Sequence, residues 1–113
     1  MLVQRNYGKG TYAVEIGKPL YKQAWKTGSG VLEFALVKPY DYCTKYDIVE
    51  VSTGSVLIPS VGRLSETSFV NICTTLVFLG AKKIRSQVDK SKKIKDFPLW
   101  KEEVVEGEKA NEG

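Results

Sequence analysis

The stretch DIVEVSTGSVLIPSVGRLSETSFVNICTTLVFLGAKKIRSQV, residues 47–88, decides how this chain folds. Its first part reads as a β-hairpin. Residues 46–52 form a strand, Thr53-Gly54 is a tight-turn signal, residues 55–58 return, and Pro59 closes the pair. Ser65 then has the chemistry of a helix N-cap, because its hydroxyl can accept from N–H groups two or three residues on. Glu66 puts a negative charge at the positive end of the helix dipole, and Leu64 and Phe69 fall at the two positions of a hydrophobic staple. Phe69, Ile72, Cys73, Leu76 and Leu79 recur at helical spacing as one buried stripe, so a helix over about 65–79 is expected, with Gly80 as its stop. After Gly80 the pattern alternates: Ile84, Ser86 and Val88 on one face, Lys83, Arg85 and Gln87 on the other. Residues 82–88 therefore read as a returning basic strand.

Outward from this unit the chain is mostly strand. Residues 2–6 and 11–16 flank a glycine turn at Gly8-Lys9-Gly10, with Tyr12, Val14 and Ile16 on one face. Residues 20–26 fit a short helix or a strand, and the Tyr and Trp content favours strand. VLEFALV (31–37) is apolar except for Glu33, the pattern of a central strand covered on both faces. Phe97-Pro98-Leu99-Trp100 is a short apolar anchor. The expected architecture is one α+β domain over 1–100. A mostly antiparallel sheet of five to six strands carries one main helix on one face, and 101–113 form an acidic, disordered tail.

Composition narrows the chemistry. Among 113 residues there is no histidine, which removes imidazole catalysis and the usual zinc sites. Cys43 and Cys73 lack metal-ligand spacing, and Cys73 falls on the apolar helix face as a buried, inert thiol. Asp41, Asp47, Glu50 and Glu66 are too scattered to form a catalytic carboxylate pair. Glu33 is expected to face solvent or pair with a lysine. No catalytic residue, metal or cofactor is expected, and the chain reads as a non-enzyme. Apolar runs are too short to span a membrane and the N-terminus lacks signal-peptide character, so a cytoplasmic protein without membrane contact is expected.

The net charge of +4 is uneven: residues 82–95 carry seven basic side chains against Asp89 alone, whereas 101–113 carry two basic and five acidic. Lys82, Lys83 and Arg85 on the expected strand, followed by Lys90, Lys92, Lys93 and Lys95, form a candidate phosphate-tracking surface. Arg63 before the helix is a candidate anion contact, and Tyr40, Tyr42 and Tyr46 are candidate stacking or anchoring aromatics. The run VLIPSVGRLSETSFVNICTTLVFLGAKKIR resembles the strand, capped helix, glycine and basic strand that open Alba-type nucleic-acid-binding domains. That resemblance covers about a quarter of the chain, and the glycine-arginine loop and second long helix of that family are missing from SQVDKSKKIKDFPLW. It is a shared supersecondary pattern, not family membership.

Two functions remain. The first is a nucleic-acid-binding module working through 82–95. The second is a protein-binding inhibitor or adaptor, of viral or mobile-element type, that meets an acidic protein surface or anchors through Tyr40–Tyr46. Homodimerisation through an exposed strand edge is compatible with either.

Overall fold

A computed structural model describes residues 1–8, 10–28 and 30–100; the acidic segment 101–113 lies outside the described residues. Among the described residues the fold is α+β, with six antiparallel strands and one α-helix. The strands divide into two sheets. β1 (Leu2–Tyr7) and β2 (Gly10–Glu15) form a hairpin. β3 (Tyr21–Thr27), β4 (Gly30–Val37), β5 (Tyr46–Glu50) and β6 (Ser55–Val61) form a four-stranded meander in that order. The long helix α1 spans Glu66–Lys90, and a 3-10 turn follows at Ile94–Asp96.

Alternation along β4 explains the layering. Leu32, Phe34 and Leu36 point to one side of the meander and meet Ile48 of β5 with Phe69 and Cys73 of α1. Ala35, Val37 and Val49 point to the other side and meet Val3 of the β1–β2 hairpin. β4 is thus covered on both faces, as its apolar run requires. Glu33 lies half-buried on the side opposite the helix, across from Ala24, and forms no ion pair among the described residues. The C-terminal segment closes on the hairpin. The Ala13 amide donates to Pro98, the Trp100 amide donates to Ala13, and the Trp100 ring packs on Tyr7 and Tyr12 at 4.3 and 5.1 Å.

Helix α1 begins where the cap chemistry places it. The Ser65 hydroxyl accepts from the Ser68 amide at 3.1 Å, and Leu64 joins the cluster containing Phe69. Its end corrects the sequence reading: 82–88 is helix, not strand, and Gly80 kinks the helix (φ −143°, ψ 21°) without ending it. Ile84 and Val88 are four residues apart, which suits a helix as well as an alternating strand, and Ala, Lys, Arg and Gln between and around them are helix formers. Arg85 fixes the second half, donating to the Val31 carbonyl and to Asp89 at 2.7 Å. The buried stripe is also rotated from the expected one. Phe69, Cys73 and Val88 are buried, while Leu79 is 77% exposed. With 82–88 helical, the parallel with an Alba-type domain is lost.

The β5–β6 connection is more constructed than a two-residue turn. The Glu50 carboxylate, 2% exposed, accepts from the Ser52 and Thr53 amides and from both of their hydroxyls. Gly54 follows with φ +69°. Pro59 lies within β6 and does not close it, which an edge strand tolerates because the outer side needs no N–H donor. The pairing is irregular there, and the Ser60 amide, at φ +58°, donates to the Asp47 carboxylate. The opposite edge, β3, exposes Lys22 and Lys26. Both edges of the meander thus carry features that disfavour pairing with another strand, proline and irregular register on one and lysine on the other.

Candidate binding surface

The seven basic residues expected to act together do not form a strand face. Lys82, Lys83, Arg85 and Lys90 lie on the second half of α1, Lys92 and Lys93 on the connection, and Lys95 in the 3-10 turn. Three of them are occupied by the fold. Arg85 bridges Val31 and Asp89; its bond holds the Asp89 carboxyl below the usual range and pushes its own guanidinium up. Lys93 donates to the Val88 carbonyl at 2.6 Å near the helix C-terminus, and Lys92 stands over the Phe97 ring at 4.9 Å. Lys82, Lys83, Lys90 and Lys95 are exposed and make no ion pair or hydrogen bond among the described residues. On the helix, Lys83 and Lys90 are two turns apart on one side, and Lys82 flanks them. Their charge faces solvent on the side away from Ile84 and Val88.

Arg63 and the three tyrosines assemble elsewhere. Arg63 and Tyr46 line a shallow depression of about 430 Å³ with Lys38, Cys43 and Thr44. Tyr40 and Tyr42 stack with ring centroids 5.3 Å apart and planes 8° from parallel, and Tyr42 is 80% exposed. The Arg5 guanidinium sits 3.9 Å from the Tyr40 centroid and donates to the Pro39 carbonyl. Beside this stack is a groove of about 360 Å³ whose walls include Arg5, Tyr7, Lys38, Tyr40 and Trp100, with the carboxylates Glu15 and Asp41. Arg5 and Trp100 were not legible as partners of Tyr40, because they are brought to it from the first and last strand-like segments of the domain. Arg85 reaches Val31 near the start of β4, whereas Asp47, next to Tyr46, pairs with Val37 at its end. Six residues of strand place the basic helix and the tyrosine cluster roughly 20 Å apart. The lysines therefore lie apart from the tyrosines, and the exposed aromatic on their own helix is Phe78, one turn before Lys82.

A third feature is apolar. Phe78 and Leu79, 85% and 77% exposed, project from the middle of α1 beside a groove of about 290 Å³ lined by Asn71, Ile72, Thr75 and Leu76. Helical spacing alone assigns Leu79 to the core stripe and gives no signal for Phe78; both face solvent.

Chemistry within the domain is limited. Burial pushes the Cys73 thiol up to about 12, so it stays protonated at neutral pH. No three His, Cys, Asp or Glu side chains converge as a metal site among the described residues, and no helix there is long and apolar enough to cross a membrane. Comparison with protein-family models, with curated proteins and with solved structures finds no match to this chain.

Proposed function

We propose that this chain is a non-enzymatic nucleic-acid-binding module whose contact surface is the outward side of the second half of α1 and the turn after it. The observation that carries the reading is that Lys82, Lys83, Lys90 and Lys95 are exposed with no internal partner, while Asp89, the nearest acid on the helix, is neutralised by Arg85. Four unpaired ammonium groups on a fixed scaffold suit phosphate contact, which reads backbone charge and not base identity. The cell compartment proposed is the cytoplasm, where two unpaired thiols are ordinary.

Four phosphate contacts give a log–log salt slope of about −3.6 on duplex and about −2.8 on a single strand. Titration of labelled oligonucleotides from 20 to 200 mM salt measures it. Replacing the four lysines by glutamate should abolish binding, while Lys22→Glu with Lys26→Glu on β3 should leave it nearly intact. Equal losses from both sets, or no binding at 20 mM salt, would reject the proposal.

A second reading, a protein-binding inhibitor or adaptor, is favoured by the exposed Tyr40–Tyr42 stack over Arg5, since rigid aromatic anchors dominate many interfaces. It expects a stoichiometric protein partner that survives nuclease treatment and is lost with Tyr42→Ala.

A further inference from the structure

We infer that the apolar side of α1 around Leu76 is a self-association surface, on which two copies of this chain pair antiparallel. This goes beyond the proposed function, and because the pair covers Lys82 and Lys83 it competes with nucleic acid for that part of the surface. Phe78 and Leu79 are among the most exposed large apolar side chains of the described residues; at helical spacing Leu79 lines up with the partly buried Ile72 and Leu76 as a stripe, and Phe78 flanks it toward solvent. Scattered exposed hydrophobics need no explanation, but a stripe beside a groove on a long helix does.

Three features select a second copy as the occupant. The stripe is self-complementary: Ile72 and Leu79 lie equally far on either side of the Thr75–Leu76 midpoint. A two-fold axis there sets Ile72 against Leu79 of the second copy and brings Phe78 of the second copy toward the groove of Asn71, Ile72, Thr75 and Leu76. Charge selects the direction. Lys82 and Lys83 lie at one end of the stripe, while the other end carries Ser65, Ser68 and Glu66, the helix's only acid before Asp89. Antiparallel pairing brings the lysines alongside the first turn of the second copy, whereas parallel pairing sets lysine on lysine. Area sets the strength. Phe78, Leu79 and the exposed parts of Ile72 and Leu76 amount to roughly 400 Å² per copy, about half of the ~800 Å² per partner of a standard interface. An interface of this size supports only weak pairing, so dimerisation is expected at high protein concentration.

The test uses the full chain, freed of nucleic acid by nuclease and high salt, in analytical ultracentrifugation from 5 to 500 µM. The wild type should pass from monomer to dimer, and Phe78→Glu with Leu79→Glu should stay monomeric with an unchanged circular dichroism spectrum and melting temperature. Cross-linking fixes the geometry in a Cys43→Ser background. Ser68→Cys mixed with Lys83→Cys should give a disulfide-linked heterodimer, and neither alone should link. A wild type that stays monomeric throughout, linking of Lys83→Cys to itself, or a dimer untouched by the double glutamate variant would overturn the inference. So would a monomer in which the same substitutions abolish binding to anionic lipid vesicles or to another protein.

Discussion

Replacing Gly54 by alanine tests the packing at the point where four parts of the chain meet. Gly54 has φ +69°, and a Cβ there would lie 2.8 Å from Ile94 Cδ1, 3.1 Å from Ile94 Cγ1 and 3.1 Å from the Val3 Cα. The glycine carbonyl also accepts from the Gln4 amide, and the Ser52 carbonyl accepts from the Ile94 amide. Two costs follow. The left-handed backbone costs a residue with a Cβ about 1–2 kcal/mol. The overlap adds about 1–3 kcal/mol of overpacking, because Ile94 can rotate away but the Val3 backbone cannot. A total near 3 kcal/mol lowers the urea midpoint by about 2 M for an m-value near 1.5 kcal/mol/M. Gly8→Ala separates the two costs. Gly8 has φ +54° with nothing within 4 Å of its Cβ, so it should show the backbone cost alone, about 1 kcal/mol. Adding Ile94→Val to Gly54→Ala removes the closest atom and should recover about 1 kcal/mol as a coupling energy. The reasoning fails if Gly54→Ala costs no more than Gly8→Ala, or if the Ile94 change is simply additive.

Glu50→Ala should cost about 3 kcal/mol, because four donors from Ser52 and Thr53 lose a charged acceptor in a buried turn; urea unfolding measures it, and a loss below about 1 kcal/mol would contradict the burial. Thiol titration at pH 8 should find one fast-reacting cysteine in the native protein, Cys43, and two in urea. Between pH 9.0 and about 12 the unfolded chain has released the Cys73 proton while the native chain keeps it, so stability should fall as pH rises through that window, and Cys73→Ala should remove this part of the slope.

Much of the scaffold was legible because its signals are local. Six strand-like runs, the Ser65 cap and the Leu64–Phe69 staple each depend on residues within a turn or two of one another. Gly80 misled because glycine is both a common helix stop and a tolerated kink, and the choice depends on whether the following residues find a surface to pack on. Here Ile84, Arg85 and Val88 do. That error placed the lysines on a strand, although their exposure follows equally from the helix. Leu79 was assigned to the core on spacing alone, but a stripe of this width exceeds what the meander can cover, and periodicity cannot say which part of it is left outside. Arg5, Tyr40 and Trp100 meet only through tertiary structure, and no spacing rule reaches across nearly a hundred residues.

The closure of Trp100 onto β2 also fixes an order of events during synthesis. Ala13 finds its partners Pro98 and Trp100 some 85 residues later, which at about 5–20 residues per second is roughly 4–17 s of translation. For that interval the hairpin lacks its aromatic neighbour, although the meander residues that receive Val3 are made about halfway through it. A hairpin made early is thus secured late, and the interval is when the nascent chain is most open to pairing with a neighbour on the same message.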